Sequence, residues 1–277
     1  MPKLSDEEPA EFLRQIGQSQ ESAIDIAAAA LMLSALDHPG RPLAPYREHL
    51  AGIADQARAE ARMSVTAEHG ARSLASLLAG RLGYDGDRVG YDDPQNADFM
   101  SVIDRRRGLP VALGILYLHA ARAAGFEAAG LSTPGHFLLH ITLRSDEALI
   151  DPFNGGAALE RESLRAPPAM GAAGTGESHP AEPVGDIDVL LRLENNLKLR
   201  ALQAGERARA LEIARRMVLI GPRRPELWID LARLNEASGA LGAAQKAFEA
   251  CLSLAPQGQG LHNEAALSLH ALKRRLN

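Results

Sequence analysis

Side chains able to do chemistry are few and scattered in this chain. The only thiol is Cys251, which excludes an internal disulfide framework and any cysteine-clustered metal site. His136 and His140 stand four apart in "HFLLHITL". Along a strand that spacing is roughly 13 Å, while zinc–nitrogen bonds are about 2 Å, so the two do not share a metal. "GYDGDRVG" has the Asp/Gly content of a calcium loop without its spaced pattern and closing Glu. Ser101, Ser132 and Thr133 lack the GxSxG setting that marks an activated hydroxyl. No metal and no cofactor is expected. The basic run "DRRRG", Asp104 to Arg107 with its glycine, reads as a solvated loop, a carboxylate partner, or the border of a pocket for a carboxylate or phosphate.

Helices dominate the elements that must position these groups. Apolar residues make up 46% of the 277 and aromatics only 4%, so the core is built mainly from Ala, Leu, Ile and Val, a mixture suited to packed helices. From Asp6 to about Leu82 three helices are expected. "ESAIDIAAAALMLSALDHPG" ends at a Pro-Gly breaker, "LAPYREHLAGIADQARAEARM" follows, and "TAEHGARSLASLLAGRLGY" has Thr66 and Glu68 at its start and Gly83 at its end. "DGDRVGYDDPQN" is an ordered loop and 98–107 a short helix. Residues 110–124, "PVALGILYLHAARAA", are apolar nearly all round and must be buried on most sides. Strands are expected at 127–133, in "HFLLHITL" and in "ALIDPF", with "RSDE" as the turn between the last two.

Residues 161–186, rich in small side chains, Pro and Gly, read as a flexible linker. It separates a helical layer and α+β core (1–160) from an all-helical array (187–277). A formal net charge of −5 gives no electrostatic reason to expect nucleic acid as a partner. The first residues lack the apolar stretch of a signal peptide, and no apolar run is long enough to span a bilayer. A cytoplasmic protein without membrane association is expected.

The array contains a repeat. "GERARALEIARRMVLIGP" (205–222) matches "GALGAAQKAFEACLSLAP" (239–256), so that Gly205 meets Gly239, Ala210 meets Ala244, Ala214 meets Phe248, Met217 meets Cys251 and Pro222 meets Pro256. The offset is that of a tetratricopeptide helix–turn–helix repeat, with Trp228, Leu231 and Ala232 on the first helix of the better copy. A capping helix is expected from about Leu261 to Arg275. Such an array serves either to pack against the rest of the chain or to hold a protein or peptide in its groove; the oligomeric state is not legible.

"NADFMSVIDRRRGLPVALGILYLHAARAAGFEAAGLSTPGHFLLHI" followed by "LIDPFNGGAAL" resembles the SirB family, in which a transglutaminase-like domain precedes tetratricopeptide repeats. The resemblance implies a site. Active members of the wider superfamily place a cysteine at the N-terminus of a buried helix, a histidine opening one strand and an aspartate on the next. The helix end stabilises the thiolate, histidine relays the proton and the carboxylate orients the imidazole. The corresponding positions here are Pro110, His136 and Asp151, within a pocket formed by Asn96, Arg107, Gly108, Pro134, Gly135 and Phe153. Proline is comfortable at a first helical turn, but it carries no nucleophile. Three readings stay open: a non-catalytic interaction module, a hydrolase or acyl/amide transferase using His136 and Asp151 without a cysteine, and a structural His–Asp bridge. The pairing itself depends on the hairpin. A turn centred on "RSDE" sets Asp151 opposite His140, whereas His136 requires a tighter turn near Leu143–Arg144 or a bulge.

Overall fold

The computed structural model describes residues 9–19, 24–61, 64–133, 136–159 and 182–276. Its α-helices are α1 (Pro9–Gln18), α2 (Ile26–Ala35), α3 (Ala44–Ala61), α4 (Ala67–Ala75), α5 (Phe99–Arg105), α6 (Pro110–Ala123), α7 (Asp186–Gln203), α8 (Arg207–Ile220), α9 (Pro225–Ala237), α10 (Leu241–Leu254) and α11 (Gly260–Leu276). The strands are β1 (Asp85–Gly86), β2 (Arg107–Gly108), β3 (Glu127–Thr133), β4 (His136–Leu143), β5 (Asp146–Asp151), β6 (Ala157–Leu159) and β7 (Glu182–Val184). Two compact units emerge, one within 21–190 and the other combining 1–20 with 191–277. Among the described residues no helix is long and apolar enough to cross a membrane.

In the first unit, α2 and α6 have no polar stripe and are buried almost completely. Asp25 caps α2 by accepting from the Ala28 N–H at 3.0 Å, and Thr66 caps α4 by accepting from His69 at 3.1 Å. Beyond α4 the helix widens over Ser76–Arg81. The sheet runs β6-β5-β4-β3-β7, antiparallel throughout, while β1 and β2 form a separate short parallel pair. Phe137, Leu139 and Ile141 are fully buried. On the opposite face Leu131, Leu138 and Leu149 form a smaller apolar cluster with Leu159.

Phe137 locks helix to sheet. A Cβ on Gly114 of α6 would stand 2.2 Å from its ring, and one on Gly130 of β3 would stand 2.5 Å from it. The ring therefore occupies a slot that exists only because both positions lack a side chain. At the far edge, Arg122 grips Asp186 with both terminal nitrogens, at 2.6 and 2.8 Å, and also donates to the Ala128 carbonyl. Residues 161–181 of the expected linker lie outside the described residues. Glu182–Val184 are not linker: they pair with β3, because that edge offers unpaired backbone groups which a further strand satisfies.

The second unit carries the repeat. Gly205 and Gly239 both take left-handed φ, 76° and 79°. Glu206 bonds back to Ala201, and Ala240 bonds back to Asn235 in the same way. Ala244, Phe248 and Cys251 are fully buried, and Leu231 nearly so. Trp228 is partly buried and donates its indole N–H to the Pro222 carbonyl at 2.8 Å. Pro256 is exposed just beyond α10, where it cannot continue the helix. The expected capping helix is α11, packed on α10. One expectation is corrected. The chain's beginning was assigned to the first domain, yet α1 belongs to this unit and packs on α8. Phe12, Leu13 and Ile16 bury its apolar stripe, and Gly17 lets it approach the Leu219 carbonyl and Pro222.

The Phe137 slot generates a test. Gly→Ala in a helix interior ordinarily stabilises by about 1 kcal/mol. Gly114→Ala is expected instead to destabilise by about 1–3 kcal/mol through overpacking, measured by urea denaturation.

Candidate functional site

The mouth of α6 is held from the loop that precedes it. Leu109 is the N-cap residue and Pro110 the first helical residue, both buried. With no capping side chain, the Leu109 N–H finds the Asn96 carbonyl at 2.8 Å. Asn96 is wholly buried; its amide donates to the Gly90 carbonyl at 2.6 Å and accepts from Arg105 at 3.0 Å. Arg105 also bonds Asp87 at 3.1 Å. Asp87 in turn accepts from the Gly90 N–H, which holds its carboxyl below the usual carboxylate range. The acidic loop is thus tied together by its own residues and Arg105. No group of three or more metal-ligating side chains occurs among the described residues. Gly108 is required beneath this corner, since a Cβ there would press on Val102 and the Asn96 carbonyl.

The hairpin resolves the register in favour of His136. Leu143 faces Asp146, so the turn is only Arg144–Ser145, with Arg144 left-handed at φ 60°. Leu139 then faces Ile150, the next pair sets Asp151 opposite Leu138, and His136 becomes its diagonal neighbour on the same face. His136 Nε2 lies 2.8 Å from Asp151 Oδ2. His140 faces Leu149 instead, and its nearest carboxylate is Glu147 at 3.5 Å.

Asp151 is 3% exposed and is surrounded by donors. Besides His136, its carboxylate takes the backbone N–H of Phe153 at 3.0 Å, the N–H of Asn154 at 3.2 Å and the Asn154 amide at 2.6 Å. Burial pushes its pKa upward, but the hydrogen bonds from His136 and Asn154 outweigh it and hold the carboxyl below its ordinary value. An ionised carboxylate against an imidazole fixes the orientation of the ring, which is what a proton relay requires.

Phe153 closes one side. Gly86 admits its ring, Tyr91 meets it edge-on at 5.8 Å and Arg88 lies over it at 5.2 Å. Arg88 also donates to the Phe153 carbonyl and to Asn154 Oδ1 at 2.9 and 2.8 Å. A Cβ on Gly156 would come within 2.3 Å of the Tyr117 hydroxyl, which is itself buried without a partner. Burial, with lesser contributions from Asp85 and Asp151, keeps that phenol protonated far above neutral pH.

Of the expected residues, His136, Asp151 and Phe153 converge, while Asn96, Gly108 and Pro110 build the α6 mouth. Pro134 and Gly135 lie outside the described residues. Arg107 is exposed and donates to the Gly83 and Arg106 carbonyls. Ser101 donates to Asp98. Arg88 and Asn154 were missed, since nothing near Arg88 in sequence signals a partner 66 residues on. Cys251 belongs to the other unit, where burial, then Glu226, pushes its thiol pKa up, the reverse of activation.

Asp151 yields a pH prediction. A carboxyl whose folded pKa is depressed contributes stability that is present above its unfolded pKa and lost as pH falls through the folded one. Acid titration of the unfolding midpoint should show a loss beginning below about pH 4–5. Asp151→Asn should flatten that loss, and at pH 7 it should cost about 1–3 kcal/mol.

A family model described as the transglutaminase-like superfamily matches residues 44–195, and a tetratricopeptide-repeat model matches 197–277. A UPF0162 protein of Xylella fastidiosa is 33% identical over 170 residues, covering 58% of this chain and 60% of the relative. A UPF0162 protein of Vibrio cholerae is 40% identical over 74 residues, 26% of this chain and 27% of the relative. The human F-box only protein 21 is 32% identical over 78 residues, 28% of this chain and 12% of the relative. The chain thus spans about 60% of the length of the first of these. It belongs to the transglutaminase-like superfamily, in the SirB-type arrangement that adds tetratricopeptide repeats to the domain.

Proposed function

We propose that this chain is a non-catalytic member of its superfamily, an adaptor or regulatory factor of the bacterial cytoplasm whose repeat unit docks a protein or peptide. The observation that carries the reading is Pro110 at the first turn of α6, the position from which active relatives attack. The proline nitrogen is a tertiary amide with no N–H and a lone pair delocalised into the preceding carbonyl, and its ring is hydrocarbon, so the covalent acyl route has no starting atom there. Tetratricopeptide arrays generally mediate protein–protein interaction through the surface that stacked helix pairs create, and residues 197–277 match that family.

One observation favours the rival reading, hydrolysis or acyl/amide transfer without a cysteine. The His136 side chain is 34% exposed while its carboxylate partner is buried, an arrangement able to deprotonate a water molecule.

The two readings separate experimentally. Proteins crosslinked in cells to the tagged full chain should be the same set for wild type, His136→Ala and Asp151→Asn, and should be lost with Trp228→Ala, which removes the indole tie to Pro222. Turnover of a peptide amide or ester by the wild-type chain that both His136→Ala and Asp151→Asn abolish would contradict the adaptor reading.

A further inference from the structure

The run "DRRRG" sends its three arginines to different places. Arg105 ties the acidic loop and Arg107 bonds backbone carbonyls. Arg106 lines a cleft of about 370 Å³ with Arg41, Pro42, Pro45, Tyr46, His49 and Asp104. This lies in the range of small-molecule sites and involves neither His136 nor Asp151. We propose that the cleft binds a small molecule bearing a carboxylate or phosphate group, held by the guanidiniums of Arg41 and Arg106.

Backbone geometry is the first support. Arg106 ends α5 in the left-handed region, φ 57° and ψ 28°. That position ordinarily goes to glycine or asparagine, because a larger side chain costs about 1–2 kcal/mol there. A structural cap alone would not require arginine. The backbone turn instead delivers the guanidinium into the cleft, where it lies over the Tyr84 ring at 4.7 Å and bonds both the Tyr84 hydroxyl and His49 Nε2, the latter at 2.6 Å.

Charge is the second support. Both partners of Arg106 are neutral at physiological pH. Burial, then Arg106 itself, pushes His49 down to about 4, and burial pushes Tyr84 up to about 12. The Arg106 charge is therefore held in place without being neutralised. Its Nε and Nη2 meet no protein acceptor among the described residues. Across the cleft Arg41 lies over the Tyr46 ring at 5.3 Å. Asp104 is the one acidic side chain lining the cleft, and it already accepts from Arg41 at 2.6 Å and Tyr46 at 2.9 Å. Two guanidiniums and one carboxylate leave one net positive charge on a surface with Pro42, Pro45 and Ile103 as apolar wall. A planar fork with free N–H groups selects carboxylate or phosphate oxygens.

The test is a titration of the full chain with inorganic phosphate and with succinate, each against sodium chloride of equal ionic strength, followed by thermal unfolding and calorimetry. At least one anion should give a saturable response that chloride does not, and which one responds identifies the group recognised. Arg106→Gly suits the left-handed backbone and leaves the His49–Tyr84 hydrogen bond of 2.8 Å available, so the fold should be retained. Arg41→Gln removes the other guanidinium independently. Binding weakened about tenfold or more by either replacement supports the site. No response beyond chloride, or a response unchanged by both replacements, overturns it.

Discussion

A carboxylate taken out of water must be matched by donors or it will not stay ionised, and Asp151 is the place where this fold meets that demand. Three of its four hydrogen bonds come from Phe153 and Asn154, within the turn that follows β5. Only His136 reaches it from another strand. The aspartate is therefore required by its own turn, whatever the site does. The histidine is not, because the turn closes without it. Asp151 serves its own turn, and His136 rides on a strand whose position is fixed by the neighbouring Phe137 in its glycine-lined slot.

The α6 mouth tells a parallel story. Its N-cap N–H is satisfied by Asn96, whose side chain is bound by Gly90 and Arg105. A helix start of this kind concentrates positive potential where a thiolate would benefit. Here the first residue is Pro110, which suits the geometry and supplies no reactive atom. The single cysteine is packed in the repeat unit with a raised pKa. The proposed non-catalytic reading rests on this combination of a His136–Asp151 pair with Pro110 at the helix start.

Much of this was legible in residues alone. Uninterrupted apolar sequence announced α6 as a buried helix, and the Gly205–Gly239 correspondence marked the repeat, whose left-handed turns need glycine. His136 with Asp151 followed from resemblance, and the hairpin left it undecided until Arg144 took the left-handed conformation that shortens the turn. Long-range partnerships were not legible. The packing of α1 on α8, the pairing of β7 with β3 and the bond from Arg88 to Asn154 join segments far apart in the chain, and local periodicity carries no information about them. The left-handed Arg106 was equally hidden, since its neighbours give no turn signal.

The central claim is that no attacking atom stands ready at the imidazole of His136. Intact-mass spectrometry of the native chain incubated with an activated acyl ester tests it most directly. The account predicts an unmodified mass for wild type and for His136→Ala alike. A covalent acyl adduct on the wild-type chain that disappears with His136→Ala would contradict it.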